Sequence, residues 1–401
     1  MLRDRVDGVR PPEPRGAVEL RRTLTDLGPA YVKLGQLLST RADLVPDGYA
    51  DELAKLQAQV PPVPYAQVRA TVEDELHRPI GEAFTRFDHD PLAAASIGQV
   101  HAARLPGGAD VVVKVRRPDV ARLVEADLHL LERVAQVIAA LSAGTRERMD
   151  PEGLAQEFAT TLRRECDYLV EASVADRLGE LFRASGQDVH VPTIHHGRTT
   201  SGVLTMDRVR GIRLDDVAAL QAAGIDPAAV AERFADAFMS MVFTFGLFHG
   251  DPHPGNVFVQ PDGSIALIDF GKHGEVDDDL RRGLGRVLAS LVGNDLDGLV
   301  GALEDLQVAG GQQDRAALRA DLGVLVERYA EAPLGEMQIG AVFGEVLAVV
   351  RRHRLRLPPD LMLLLATVVM CEGVALSLDP DFQLQPVLLR WAARGFGPAA
   401  G

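Results

Sequence analysis

Within FHGDPHPGNVFV, four residues separate Asp251 from Asn256, and thirteen residues after Asn256 comes the triplet Asp269-Phe270-Gly271 that closes ALIDFG. Pro252, Pro254 and Gly255 keep the first segment a loop, because proline has no N–H to give a helix and glycine weakens one. Asp and Asn are oxygen donors of the kind a hard cation such as Mg²⁺ prefers. Phosphoryl transfer needs a group to accept or orient the nucleophile's proton and oxygen ligands for the metal that neutralises phosphate charge. Asp251 suits the first role, Asn256 and Asp269 the second. Each alone could equally be a loop-capping residue; their order and spacing together argue for a site. A zinc site on His249 and His253 is the competing reading. A metalloprotease pair sits on a helix with a Glu between its histidines, whereas here Pro252 intervenes and no Glu is present.

The second feature is upstream. LPGGAD reads as a hairpin turn, followed by the β-branched strand VVVKV carrying Lys114. A lysine emerging from a buried strand after a hairpin is placed to hold phosphates and pair with a helix carboxylate. ECDYLVEA offers Glu165, Asp167 and Glu171 as partners. On one regular helix Asp167 and Glu171 share a face and Glu165 does not. Before the lysine strand lies PLAAASIGQVH, at the place of a phosphate-covering loop. Ala93, Ala94, Ala95 and Ser96 stand where glycines are expected, which restricts φ and stiffens the loop. No GxGxxG or Walker A sequence occurs.

Composition narrows the classes. With 42 basic and 57 acidic residues the net charge is −15, which opposes a nucleic-acid partner, since that affinity comes from neutralising phosphates. Cys166 and Cys371 form neither a disulfide framework nor a zinc spacing, which fits a reducing, cytoplasmic setting. No apolar leader opens the chain. The most apolar run, Leu361 to Met370, is short of the ~20 residues that span a bilayer and reads as a buried core helix, so no transmembrane helix is expected.

Residues 1–16 read as a loose N-terminus and 17–80 as a helical extension with helices near 17–38 and 47–58. Residues 81–207 read as a small sheet with inserted helices near 119–142 and 150–178. Residues 208–401 form a helical lobe interrupted by two strands around PDGS. Arg351, Arg352, Arg354 and Arg356 make a basic stretch, read as a solvated helix end or a lipid or partner contact.

These motifs together resemble the UbiB/AarF (ADCK-type) atypical kinases, over about residues 20–385. The resemblance is carried by GPAYVKLGQLLSTRADLVP with its Lys33-x-Gly35-Gln36 motif, PLAAASIGQVHAARL, the Lys114 strand, ECDYLVEA, FHGDPHPGN and IDFG. Val174 and Gly250 depart from the family pattern, where Asn and Ala are common. The resemblance implies an α+β, protein-kinase-like two-lobed fold whose helical arm packs over the cleft and blocks a protein-substrate site. It also implies that ATP or ADP binds with Mg²⁺. By the same resemblance, Lys114 would pair with Glu171, and Lys33 would meet Glu165 and Asp167 as a regulatory contact. Met206, Asp207 and Val209 match the family's hinge, which would take adenine.

The chain runs from Gly271 through KHGEVDDDLRRGL into a helix with no activation segment or Ala-Pro-Glu, the part by which a protein kinase docks its substrate. The resemblance therefore implies an ATPase or small-molecule kinase supporting isoprenoid-quinone or related lipid metabolism. Its partners are nucleotide, a quinone-pathway lipid or biosynthetic proteins, with peripheral membrane contact. A phosphotransferase of the aminoglycoside or choline kinase type shares the Asp251, Asn256 and Asp269 pattern but lacks the arm and the alanine loop. A nucleotide-gated scaffold without turnover is the non-enzymatic alternative.

Overall fold

A computed structural model describes residues 15–40, 48–56, 61–141, 150–293, 295–308, 314–330, 339–353, 355 and 357–395. Residues 1–14 of the loose N-terminus, most of the STRADLVPDG connection, and Arg354 and Arg356 of the basic stretch lie outside them, as does the Arg351 side chain. The chain divides into two compact units, Met1–Pro61 with Arg122–Leu162, and Pro62–Ala121 with Arg163–Gly401.

The first unit holds α1 (Arg15–Leu27), α2 (Pro29–Thr40) and α3 (Tyr49–Leu53). The helix expected over 17–38 is two. Gly28 has φ +112°, a conformation open to glycine, and Pro29 then starts α2, where its missing N–H costs nothing. Leu24, Val32, Leu53 and Leu56 form the core where the three helices meet. Glu52 is buried there between Arg21 at 2.7 Å and Lys55 at 2.5 Å, and bonds from Lys55 and then Arg21 hold its carboxyl below the usual range. Most of α6 (Val120–Leu141) and α7 (Pro151–Glu165) belong to this unit as well.

The second unit begins with α4 (Tyr65–Leu76) and α5 (Ile80–Ala83), which cover one face of an antiparallel sheet. Its strands are β1 (Arg86–Phe87), β2 (Ala93–Ala94), β3 (Gly98–Arg104), β4 (Asp110–Arg116) and, after β5 (Val189–His190), β6 (Val203–Asp207). The order is β1-β3-β4-β6, with β2 also on β3. On β4 the residues alternate, as a half-buried strand must. Val111, Val113 and Val115 enter the core with Val68, Val72 and Phe84, which turns Lys114 to the opposite face. On β3, His101 is fully buried. Its Nδ1 lies 2.8 Å from the Asp88 carbonyl and its Nε2 2.8 Å from the Gln99 amide nitrogen, while Gln99 Oε1 accepts from Val63 N. Only a neutral ring, donating at Nδ1 and accepting at Nε2, satisfies that chain of bonds.

The helix expected over 150–178 also breaks. α7 ends at Glu165, and Asp167, in extended conformation, caps α8 (Tyr168–Ser185) by accepting from Leu169 N at 3.0 Å. The shared face of Asp167 and Glu171 expected from one continuous helix is therefore corrected, because a cap lies outside the helical repeat. Arg116 braces the joint, donating to the Cys166 and Ser201 carbonyls at 2.7 and 3.1 Å.

The remaining chain opens with β7 (Ile212–Arg213), α9 (Val217–Ala222) and α10 (Pro227–Ser240). There follow β8 (Leu247–His249), β9 (Val257–Val259), β10 (Ile265–Leu267) and β11 (His273–Glu275). Strands β9 and β10 form the hairpin around PDGS, and β11 pairs with β8. The helical lobe then runs through α11 (Asp278–Val292), α12 (Leu296–Leu303), α13 (Arg315–Ala330), α14 (Ile339–Arg352), α15 (Pro359–Leu378) and α16 (Leu384–Gly395). Arg352 pairs with Asp321 at 2.9 Å.

One expectation changes in length. The apolar run at 361–370 is the front of α15, which has 20 residues and is, among the described residues, long and apolar enough to cross a membrane. Half of its most apolar stretch is nonetheless buried within the protein. Leu361, Met362, Leu364, Cys371 and Ala375 are in the core, and the buried Glu372 accepts from Gly340 N at 3.0 Å.

Burial holds the His101 imidazole below its ordinary value, whereas in the unfolded chain it takes a proton near pH 6.5. Its contribution to stability is thus complete above about pH 6.5 and lost as pH falls toward the depressed folded value. In thermal melts, the drop in Tm between about pH 7.5 and about pH 5.5 is expected to be smaller in His101→Asn, although that variant starts from a lower Tm. Equal drops in both proteins would contradict this.

Candidate functional site

Three distant stretches meet at Lys114. From β4 its ammonium reaches Glu171 Oε1 on α8 at 2.5 Å and Asp269 Oδ1, just past β10, at 3.2 Å. Glu171 is buried, whereas the Asp269 side chain is half exposed. Burial pushes the Lys114 ammonium down, but the charges of Asp269 and Glu171 outweigh it and hold it above its ordinary value. Enclosure likewise raises the Asp269 carboxyl, and Lys114 more than cancels that, leaving it below the usual carboxylate range. Glu171 Oε1 accepts a second bond, from Phe270 N at 3.1 Å. Asp269 has φ +63°, a left-handed conformation that is uncommon for non-glycine residues and gathers at functional sites. Gly271 N lies 3.4 Å from its Oδ1.

Below this triad His249 is buried, and both its nitrogens are spoken for. Nε2 lies 3.0 Å from the Ile268 carbonyl and Nδ1 accepts from Asp251 N at 3.1 Å. Its ring meets Phe270 edge-on, with centroids 5.6 Å apart. His253 is exposed and accepts from Gly255 N at 3.1 Å, capping the short turn Pro254–Asn256. The two histidines thus serve the backbone, in line with the sequence argument against a zinc pair. Asn256 donates Nδ2 to the Asp251 carbonyl at 3.1 Å, and its own carbonyl accepts from Ile268 N at 2.9 Å. Its side-chain oxygen is the atom left to meet a cation. The β9–β10 pairing, with Val257 opposite Leu267, thus sets Asn256 beside the segment that leads into Asp269. Gly250 N donates to the Lys272 carbonyl at 2.9 Å, which keeps the chain around Asp251 paired on both sides.

The alanine segment is a tight hairpin. Ala93 and Ala94 pair with Val100 and Gln99, and Ala95 N donates to Gly98 O at 2.8 Å. Arg117 clamps the turn, its Nε donating to Ala95 O and its backbone N to Ile97 O, each at 2.8 Å. Ser96 Oγ is buried and has no hydrogen-bond partner among the described residues. At Gly98 a Cβ would run into the Tyr168 hydroxyl and sit 2.8 Å from Val115 O. Tyr168 is buried, and burial pushes its hydroxyl up, with Lys114, Glu171 and Asp269 all in its field.

At the sheet's other edge Met206 is buried opposite Val112. Asp207 N donates to Thr193 O at 3.0 Å, its carboxylate meets His195 Nε2 at 2.8 Å, and Arg208 N donates to Asp110 O at 3.0 Å. Among the described residues Val209 makes no backbone–backbone hydrogen bond.

The regulatory residues of the resemblance sit in both units. Lys33 is on α2, Glu165 ends α7, and Asp167 caps α8. Gly35 packs where a side chain would overlap Leu56 and stand 2.9 Å from Leu24 Cδ1. Gln36 Nε2 donates to Leu56 O at 3.0 Å. Both therefore hold the three arm helices together.

Tyr168 and Arg117 were missed from the sequence. Neither lies in a spaced motif with the residues it touches; only Tyr168's place directly after a helix-capping Asp gave a local sign. Val174, one of the two departures, is simply buried on α8.

Among the described residues no three His, Cys, Asp or Glu side chains converge on an ion. An Asp269 carboxylate and an Asn256 amide oxygen form an incomplete oxygen set that suits Mg²⁺, an ion that usually takes its other ligands from water and substrate phosphates. The donor chemistry fits Mg²⁺-nucleotide and does not fit a metal held by protein alone.

The chain matches the ABC1 atypical kinase-like domain over residues 55–303 and the UbiB helical domain over 322–383. It is 35% identical over 393 residues to the uncharacterised protein sll1770 of Synechocystis sp., covering 96% of this chain and 67% of that protein. To a probable protein kinase UbiB of Marinobacter nauticus it is 35% identical over 397 residues, covering 95% of this chain and 71% of the relative. A second Synechocystis protein, sll0005, is 33% identical, and there the match spans only 54% of the relative's length. Among solved structures, the Rv3197–erythromycin complex from Mycobacterium tuberculosis superposes with TM-score 0.62 over 91% of this chain and 92% of that one, at 24% identity.

Truncating Lys114 leaves Glu171 buried without its counter-charge. Lys114→Ala is expected to lose about 3–5 kcal/mol in urea denaturation; a loss below about 1 kcal/mol would mean that the pair is not buried in solution.

Proposed function

The chain belongs to the ABC1 (UbiB-type) atypical kinase-like family, and we propose that it is an atypical kinase or ATPase that binds Mg²⁺-ATP and acts on something other than ordinary protein substrates. The observation that carries this reading is the Lys114–Glu171–Asp269 cluster with Asn256 beside it. Lys114 is held charged and aimed at the α- and β-phosphates, with Glu171 fixing its direction. Asp269 and Asn256 hold Mg²⁺, which, when bound, neutralises phosphate charge. Asp251 accepts the nucleophile's proton or orients water. Met206, Asp207 and Val209 take the adenine edge, and Ala93 to Ser96 cover the phosphates, with the Ser96 hydroxyl as a donor to them.

One observation favours a restricted acceptor. Between Gly271 and the start of α11 at Asp278 there is only β11, so no docking segment for a peptide follows the Asp269 triplet. The acceptor side, isoprenoid-quinone or related lipid metabolism at a cytoplasmic membrane surface, rests on the resemblance to UbiB proteins, whose chains extend beyond the matched part.

Purified chain is expected to hydrolyse ATP only with Mg²⁺, faster with vesicles or a quinone-like phenol, and to lose about two orders of magnitude or more in Asp269→Asn. Nucleotide bound tightly without turnover in every condition would instead favour the nucleotide-gated scaffold. A second outcome concerns the alanine turn. Ala94→Gly or Ala95→Gly, by freeing φ, is expected to shift the ratio of ATP to ADP affinities in a titration. Equal ratios in wild type and variants would remove any role of the alanines in nucleotide choice.

A further inference from the structure

Tyr168 opens α8 three residues before Glu171, so the two side chains are neighbours on one face of that helix. In the sheet, Gly98 is paired directly with Arg116, two residues along β4 from Lys114, a step of about 7 Å. Residues two apart on a strand, and residues directly opposite each other, share a face of the sheet. A side chain at position 98 would therefore stand on the Lys114 side. The Tyr168 hydroxyl occupies that place, since a Cβ on Gly98 would overlap it. The phenol thus crosses from the helix that carries Glu171 to the strand that follows the alanine turn, on the face where Lys114 is presented.

The hydroxyl has no work inside the protein. Tyr168 is only 7% exposed, and its oxygen has no hydrogen-bond partner among the described residues. The backbone beneath it is pinned, with Tyr168 N donating to Ser201 O at 3.1 Å and Arg116 holding the Cys166 carbonyl at 2.7 Å. Burial is the largest influence on the phenol and raises it; Lys114 and Arg116 pull it down, and Glu171 and Asp269 push it up. The group is a protonated hydroxyl at neutral pH and can donate. A buried donor with no acceptor costs stability, and a phenylalanine would fill the same space without that cost. The Lys114 ammonium on the same face marks where an anion is held. A hydroxyl donating to an ionised oxygen makes one of the stronger hydrogen bonds.

We propose that the Tyr168 hydroxyl donates to a phosphate oxygen of the bound nucleotide, and that position 98 must lack a side chain so that the phenol can reach it. This rests on the nucleotide reading of the Lys114 site and adds a residue to that site.

The test is calorimetric titration of wild type and Tyr168→Phe with Mg²⁺-ATP and, separately, with adenosine, which has no phosphate. The variant is expected to bind Mg²⁺-ATP about tenfold more weakly and adenosine as wild type does. Its melting temperature without ligand is expected to equal or exceed that of wild type, because the hydroxyl removed had no partner. Equal Mg²⁺-ATP affinities would overturn the proposal. A parallel loss for ATP and adenosine, or a lower melting temperature, would overturn it too, by making the hydroxyl a structural group. Gly98→Ala gives a second reading: its loss of Mg²⁺-ATP affinity is expected to be smaller on the Tyr168→Phe background, where the overlap with the hydroxyl is gone. Equal losses on both backgrounds would place the hydroxyl elsewhere and contradict the account. Wild-type chain that binds no Mg²⁺-ATP would remove the proposed function itself, whereas wild-type binding that Tyr168→Phe leaves intact would remove only the role of Tyr168.

Discussion

One ammonium faces two carboxylates. Lys114 lies between Glu171 at 2.5 Å and Asp269 at 3.2 Å, and no other arrangement described here brings together groups from three such separated parts of the chain. Charges this close and this poorly hydrated interact far more strongly than in water, and each is costly to leave alone. Burial pushes the Glu171 carboxyl up, whereas Lys114 holds that of the half-exposed Asp269 down, so Asp269 is the carboxylate a cation can reach. The stability of the cluster and its proposed use in binding Mg²⁺-nucleotide are thus two sides of one electrostatic imbalance.

The rest of the site hangs from that imbalance through short bonds. Glu171 also accepts from Phe270 N, so the position of α8 and the turn at Asp269 are set together. Phe270 packs against the His249 ring, and His249 ties the Ile268 carbonyl to the Asp251 amide. Asn256 closes the loop through the Asp251 carbonyl. A displacement of α8 is therefore carried to Asp269 directly and to Asp251 through two further contacts. Arg116, holding the Cys166 carbonyl from the lysine strand, braces the start of that helix from the other side.

Much of this was legible in the sequence because the informative residues are close together in it. Asp251, Asn256 and Asp269 lie within one loop and one hairpin, and the alternation of β4 places Lys114 opposite three valines by period alone. What was illegible is of two kinds. Apolar periodicity ran past Gly28 and past Asp167, and both residues ended helices for local backbone reasons, a positive φ in one case and a side-chain cap in the other. Tyr168, Arg117 and the need for Gly98 depend on contacts between β2–β3, β4 and α8, which no local spacing encodes. The apolar run was counted only to Met370, whereas α15 stays apolar beyond Cys371 and the buried Glu372, whose charge is met by Gly340 N.

The central claim is that the protein supplies only part of a cation's ligands, from Asp269 and Asn256, and that nucleotide supplies the rest. Electron paramagnetic resonance of Mn²⁺, standing in for Mg²⁺, tests it most directly. The account expects Mn²⁺ to bind the chain with ATP present, to remain largely free without nucleotide, and to be released in both Asp269→Ala and Asn256→Ala. Tight Mn²⁺ binding without nucleotide, or binding with ATP that neither substitution disturbs, would contradict it.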